Sequence, residues 1–241
     1  MDTKSIYNWH MAYLKGNERE RFVKKTFSNV ARRYNMMNHL MTFGVDILLR
    51  KEVMRIADPQ KGERLLDAGT GTGDLARQAR SHHAGVITTA FDFSREMMTA
   101  SKDWQKIQRC QADAQKLPFA DESFDTVVSG YLVRNVADLE MTLGEQYRVL
   151  KTGGRIVVLD TTRPRRKLLT PLIRIYFRLV IPLLGRLLTG NREAYTYLTQ
   201  SSENFISAEA LAEKLQRSGF SNVRFHVRML GTMAIHSATK P

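Results

Sequence analysis

Cysteine is almost missing from this chain. Cys110 is the only one in 241 residues and falls within a predicted strand, so no internal disulfide can form and a small buried hydrophobe is its expected role. No uninterrupted apolar run approaches the ~20 residues of a membrane-spanning helix. Asp2 and Asn8 precede any apolar run, which argues against a secretory leader. The six histidines make no pair at metal-ligand spacing, and adjacent His82 and His83 would point to different sides of a helix, so no metal is expected. Repeats and low-complexity linkers are absent as well. With 43% hydrophobic residues the chain is long enough for one sizeable core and short for two. The expected organisation is a helical extension over 1–58 followed by one domain over 59–241.

Acids are missing from one stretch. Between Arg163 and Arg192 stand Arg163, Arg165, Arg166, Lys167, Arg174, Arg178, Arg186 and Arg192 with no Asp or Glu, a large part of the net charge of +13. Leucine, isoleucine and aromatic residues fill the spaces between them. Arg174, Arg178 and Arg186 would share roughly one face of a helix, and Pro171 and Pro182 are expected to break the segment into pieces. Three readings stand: a basic amphipathic helix on an anionic membrane surface, a solvated face on a helix that covers the sheet, or a patch suited to RNA.

Glycine, by contrast, is concentrated where it matters. Leu65 to Ala76 reads LLDAGTGTGDLA, and Asp92 follows nineteen residues past Gly73 at the end of the apolar run Val86 to Phe91. Leu65 and Leu66 predict a short buried strand. Gly69, Gly71 and Gly73 then give a loop without β-carbons that lets backbone approach a ligand, and the segment after Gly73 predicts a helix whose N-terminus faces that ligand. Asp92 lies at the spacing at which a carboxylate reaches ribose hydroxyls. Asp67, ahead of the glycines, would repel a pyrophosphate and suits instead the α-ammonium group of S-adenosylmethionine. A second short strand ends at Asp113-Ala114, an arrangement that resembles the adenine pocket of class I methyltransferases. The candidate cofactor residues are therefore Asp67, Gly69, Gly71, Thr72, Gly73, Asp92, Asp113 and Ala114.

Strands are predicted near 64–67, 86–91, 107–112, 124–130 and 154–161, with helices near 73–81, 94–104 and 139–150 between them, an alternation that gives a parallel sheet. Asp138 and Ser207 are predicted N-caps, and Gly153-Gly154 is expected to stop the helix begun at Asp138 before the next strand. Val223 to Val227 and Met233 to Ala238 predict a closing antiparallel pair.

Several segments together resemble the ubiquinone/menaquinone biosynthesis C-methyltransferases of the UbiE type: TFSNVARRYNMMNHLMTFG from Thr26, the glycine loop, DFSREMM from Asp92, LPFADESFDTVVSG from Leu117, VRNVAD from Val133 and YRVLKTGGRIVVLDTTRP from Tyr147. The resemblance implies an α/β, Rossmann-like seven-stranded sheet, mostly parallel with the last strand antiparallel. It also implies S-adenosylmethionine as cofactor and methyl transfer to a ring carbon of a polyprenyl quinol by a cytoplasmic protein attached peripherally to the inner face of the membrane; a homodimer stays open. The chain departs from the family's usual residues at Asn35 (Asp), Asp46 to Leu49 (His-Arg-x-Trp), Gly130 (Ser), Asp160 (Glu) and Thr162 (Ser).

A sulfonium methyl is already activated, so the step asks for positioning and electrostatics more than for a triad, and none is found. The acceptor is more demanding, because a phenol of pKa ~10 needs a base or a fixed cation to become nucleophilic. Arg134, past the strand that ends at Gly130, is the candidate cation, Asn135 the candidate for orienting the ring oxygen, and Tyr34 a further hydrogen-bond donor. The plainer alternatives are an ion pair of Arg134 with Asp138, a helix cap for Asn135, and packing for Tyr34 and the methionines beside it. Charge alone also leaves an RNA methyltransferase open, although Tyr131-Leu132-Val133 is unlike the Asn/Asp-Pro-Pro-aromatic motif of enzymes that methylate base amines.

Overall fold

The computed structural model describes residues 16–82, 85–163 and 170–241. Seven strands build one sheet: β1 (Arg64–Ala68), β2 (Ile87–Asp92), β3 (Ile107–Gln111), β4 (Phe124–Gly130), β5 (Leu150–Thr161), β6 (Ser221–Arg228) and β7 (Met233–Thr239). Their order is β3-β2-β1-β4-β5-β7-β6, and every pairing is parallel except the two that β7 makes. Central strands are apolar almost throughout because helices cover both faces; Leu65, Leu66 and Ala68 of β1 and Val157, Val158 and Leu159 of β5 are all buried. The strand order reverses between β1 and β4, and at such a reversal a crevice opens beyond the carboxyl ends of the strands.

The helices are α1 (Gly16–Val30), α2 (Tyr34–Met41), α3 (Val45–Ala57), α4 (Asp74–His82), α5 (Arg95–Ala100), α6 (Leu139–Val149), α7 (Thr170–Ile175), α8 (Ile181–Thr189), α9 (Arg192–Asn204) and α10 (Ala208–Arg217). Ser94, Asp138 and Ser207 accept first-turn N–H groups of α5, α6 and α10, which satisfies donors that have no partner within the helix. Val30, Tyr34 and Met37 of the N-terminal segment pack with Ile181, Ala194, Tyr195 and Leu198 of α8 and α9 in a small core of their own. This second core lies beside the crevice and supplies part of its wall.

Three expectations need correction. The helix predicted over 94–104 stops at Ala100, where Ser101 is extended and the Trp104 indole turns back to donate to the carbonyls of Met98 and Ser101. β5 begins at Leu150, four residues early. Gly153 and Gly154 do not separate helix from strand; they exchange backbone hydrogen bonds with Lys240, opposite a register shift between Phe124 and Thr126 of β4. Pro171 and Pro182 do not break the basic segment. Each stands in the first turn of a helix, and a π-turn over Tyr176–Val180 joins α7 to α8, a widened turn that accommodates a proline lacking its N–H.

The basic segment has an inward apolar face, where Ile181, Tyr176, Phe177 and Leu184 meet the second core, but its outward face is not simply polar. Arg174, Arg178 and Arg186 are exposed, with Arg178 paired to Glu203 (Nη2 to Oε2, 3.0 Å), yet Leu172, Ile175, Leu179, Leu183 and Leu187 are exposed too, Leu187 by 70%. Arg165, Arg166 and Lys167 lie outside the described residues, as do Asp2, Asn8 and His83.

Candidate active site

The glycine loop between β1 and α4 has the three glycines in the left-handed region, at φ +65° (Gly69), +56° (Gly71) and +86° (Gly73). Each has a separate reason to lack a β-carbon. At Gly69 a Cβ would meet Leu132 at 2.7 Å, and at Gly73 it would meet Trp104 at 2.5 Å, so these two admit close packing of neighbouring chain; Gly71 meets only the flexible Met97 side chain. Gly71 also donates its N–H to Asp92 Oδ2 (2.8 Å), while Ser94 N–H donates to Asp92 Oδ1 (2.8 Å). The carboxylate thereby fixes the loop and keeps a further lone pair on each oxygen.

Beyond this loop lie three adjoining cavities. The first, about 110 Å³, brings together Tyr34, Gly69, Gly71, Asp92, Asp113, Ala114 and Asn135. The second, about 40 Å³, is lined by Asp67, Thr72, Arg50, Tyr34 and both Gly69 and Gly71. Arg134 stands apart from both, in the wall of a third cavity of about 460 Å³ whose surface is mostly apolar. Tyr131 borders all three.

Asp67 lies at the floor of the smallest cavity. Its Oδ2 accepts from Thr70 Oγ1 (2.6 Å) and Ala76 N–H (3.0 Å), whereas Oδ1 is buried with no partner. An unpartnered buried carboxylate oxygen is costly, and an ammonium group suits it. Thr72 turns away to Asn35 Oδ1 (2.7 Å), and Asp113 accepts from Gln115 N–H (2.9 Å) at the far end of the first cavity. One end thus offers a carboxylate for a cation, the middle a carboxylate for a ribose, and the far end an acid beside apolar residues for a base. These residues fit S-adenosylmethionine.

Burial pushes Asp67 up to about 7 and Asp92 up to about 6, against the hydrogen bonds each accepts. Both are raised above their unfolded values, so their stabilising contribution is complete below the ordinary carboxylate range and is lost as pH rises through 6 to 7. A cationic ligand reverses that cost by favouring the ionised forms. Cofactor binding near pH 6.5 should therefore release protons and weaken as pH falls below about 6. Titration calorimetry in buffers of different ionisation enthalpy reads this directly; a heat independent of buffer would contradict it.

The candidate catalytic residues are all held tightly. Arg134 is buried and its partner is Asp160, not Asp138: Nη1 donates to Asp160 Oδ1 (2.9 Å) and the backbone N–H to Oδ2 (3.2 Å), while Asp138 caps α6. Arg134 Nε is buried without a partner. Asn135 is no helix cap; its amide donates to Tyr131 O (2.8 Å) and accepts from Tyr197 OH (3.3 Å), which pins the turn after β4. Tyr34 packs edge-on against Phe27 and faces the first two cavities. Sequence reasoning missed Arg50, Tyr131 and Asp160 as parts of the site. Asp160 had a signal, since it lies at the carboxyl end of the predicted strand 154–161; Arg50 had none.

The model of the ubiE/COQ5 methyltransferase family matches residues 14–240. The chain belongs to that family. It is 44% identical over 227 residues to the ubiquinone/menaquinone biosynthesis C-methyltransferase UbiE of Desulfotalea psychrophila, covering 90% of each chain. It is 39% identical over 220 residues to the demethylmenaquinone methyltransferase of Thermus thermophilus, covering 89% of this chain and 100% of that one. Among solved structures, a possible histamine N-methyltransferase from Thermotoga maritima superposes with a TM-score of 0.65 at 20% identity, over 90% of this chain and 99% of that one, and so shares the fold. This family member is an S-adenosylmethionine-dependent methyltransferase, and the RNA reading, which rested on charge alone, has no further support. Among the described residues no helix is long and apolar enough to cross a membrane, and no His, Cys, Asp and Glu cluster is arranged to hold a metal.

Proposed function

We propose that this family member methylates a ring carbon of a polyprenyl quinol and works while resting on an anionic membrane surface. The observation that carries the reading is the 460 Å³ apolar cavity, which shares Tyr131 with the cofactor cavities and has one buried guanidinium, Arg134, in its wall. An aromatic ring with a long apolar tail fits a cavity of that lining, and the Arg134 guanidinium supplies the cation for a ring oxygen.

The cofactor supplies a methyl group already activated by its sulfonium. What the chain adds is placement and charge. Arg134 favours the quinolate over the quinol, which raises electron density on the ring carbon next to the oxygen. The overall exchange replaces one ring hydrogen by methyl and releases one proton. Asp160 accepts from two donors of Arg134 and fixes its direction, so the cation does not have to reorganise as charge develops.

The rim of the cavity accounts for the membrane part of the proposal. Phe43 (80% exposed), Leu230 (63%) and Leu172 ring its mouth, and the exposed leucines of α7 and α8 extend the same surface, flanked by Arg174 and Arg186. Apolar residues beside arginines bind anionic interfaces, and the lipid tail of the acceptor then need not leave the bilayer. The test is an assay of the purified chain with S-adenosylmethionine and a demethylated polyprenyl naphthoquinol carried in vesicles. Methylated quinol should form, and faster on vesicles with anionic lipid, with which the protein co-sediments. No product on any vesicle would defeat the substrate reading, and equal rates on neutral and anionic vesicles would defeat the membrane reading.

A further inference from the structure

Tyr131 is the residue after β4, directly behind Gly130, and its backbone lies at φ +61°. That region is costly for a bulky aromatic side chain, and strain of this kind persists only where the surroundings over-determine it. Here they do. The Tyr131 N–H donates to Leu159 O (2.8 Å), its carbonyl accepts from the Asn135 amide (2.8 Å), and Leu132 beside it is wedged against Gly69. The chain therefore spends several fixed contacts on aiming this one ring.

The ring is aimed at the junction of the cavities. Its remaining accessible surface forms wall in the cofactor cavities on one side and in the apolar cavity on the other. The Arg134 guanidinium lies over it, 5.1 Å from the ring centroid. The hydroxyl donates only to the thioether of Met233, at 3.5 Å. Sulfur of this type is a weak acceptor, so the O–H has a poor partner in a place where a better one would be preferred. Burial also holds the phenol well above its ordinary pKa, against the pull of Arg50 and Arg134. It stays protonated, and hence a donor, across the working range.

We propose that Tyr131 positions the acceptor: its hydroxyl leaves Met233 and donates to the same ring oxygen that Arg134 serves, setting the ring at the opening toward the cofactor. This rests on the reading of the 460 Å³ cavity as the acceptor site. The strained backbone is then explained as the means of carrying the ring over the boundary, which a relaxed residue after Gly130 would not reach.

The test uses Tyr131→Phe, which keeps the ring, the backbone and the contact with Arg134 and removes only the donor. Because the Met233 contact is weak, the thermal midpoint should stay where it is. The cofactor dissociation constant should also be unchanged, while kcat/KM for the quinol falls about 10- to 100-fold, the range of a hydrogen bond to a charged acceptor. A second arm does not depend on turnover. 1-Naphthol, an aromatic hydroxyl, is titrated calorimetrically into wild type and Tyr131→Phe, both loaded with S-adenosylhomocysteine, and should bind the variant about tenfold more weakly, equivalent to about 1.4 kcal/mol. Equal naphthol affinity in the two proteins, no binding to wild type, or a parallel loss of cofactor affinity would each overturn the assignment. A wild type that binds naphthol through Tyr131 yet methylates no polyprenyl quinol would instead count against the substrate named above, and the two failures are thereby told apart.

Discussion

Replacing Asp160 by Ala should destabilise the protein by about 3–5 kcal/mol and remove turnover, and Arg134→Ala should remove turnover with a smaller and pH-dependent loss of stability. The asymmetry follows from what each change leaves behind. Without Asp160, the buried Arg134 guanidinium loses the acceptor of both Nη1 and its backbone N–H and is left without its carboxylate partner. Without the Arg134 side chain, Asp160 keeps the backbone N–H groups of residue 134 (3.2 Å) and Thr161 (2.7 Å) as donors and can shed its charge by taking up a proton. Its pKa is already raised by burial, which outweighs the pull of Arg134, and removal of the cation raises it further. A folded-state pKa above the unfolded value means stability that is present below the ordinary carboxylate range and lost as pH rises through the folded pKa. Arg134→Ala should therefore melt close to wild type at pH 5 and progressively lower toward pH 8, whereas Asp160→Ala should melt low throughout. In both proteins S-adenosylmethionine, measured by calorimetry near pH 7, should bind nearly as in wild type, because neither residue borders the two cofactor cavities. In Arg134→Ala, kcat should fall at least 100-fold if the guanidinium meets developing oxyanion charge. Unchanged turnover in Arg134→Ala would remove it from the mechanism.

What the chain states locally was legible, and what it states through register was not. β1 and the glycine loop were readable because leucines, glycines and a strand-end acid lie within a dozen residues, and the Asp92 spacing closes a single βαβ unit. Helix starts at Asp138 and Ser207 were readable for the same reason, since a cap and its first turn are contiguous. The ion pair with Asp138, the plainer alternative for Arg134, was suggested by nearness in sequence, whereas the actual partner, Asp160, is brought up by the pairing of β4 with β5, in which Gly130 stands opposite Leu159. No local pattern encodes that register. The same holds for Tyr131, whose strain arises from contacts with Leu159 and Asn135 and whose position is defined by cavities on both sides. Asn35, where the family usually has Asp, is a fixed member of the cofactor loop's hydrogen-bond network. Its amide donates to Asp74 Oδ1 (3.2 Å) and its carbonyl accepts from Thr72 (2.7 Å), roles that need both an acceptor and a donor and that an aspartate facing Asp74 would not fill.

That network makes the second large effect, loss of cofactor affinity on changing a residue that touches no cofactor cavity. Asp46, in the first turn of α3, is completely buried. It accepts hydrogen bonds from Thr42 Oγ1 (2.8 Å), His39 Nδ1 (2.9 Å) and Arg50 Nη1. Arg50 continues to Asp74 (3.5 Å), and Asp74 to Asn35 and Arg77, the latter of which also donates to the carbonyl of Thr72 (2.6 Å). The N-terminal helices and the glycine loop are thus joined through charge pairs across the smallest cavity. Asp46→Ala strands Arg50 beside that cavity with Asp74 as its remaining carboxylate, at a cost of about 3–5 kcal/mol in stability. It also frees α2 and α3 from the loop, so S-adenosylmethionine should bind at least tenfold more weakly, and proteolysis should cut first in the N-terminal helices. The pH dependence has the opposite sign to that of Asp160. Burial raises the Asp46 pKa, but the hydrogen bonds from His39, Thr42 and Arg50 outweigh it and leave it lowered. Its contribution is therefore present above the ordinary carboxylate range and lost as pH falls through the depressed value. Without cofactor, wild type should keep its N-terminal helices protected from proteolysis until strong acid, and Asp46→Ala should lack that protection already at neutral pH. A variant that binds cofactor as tightly as wild type would show that the helices and the loop hold their places independently.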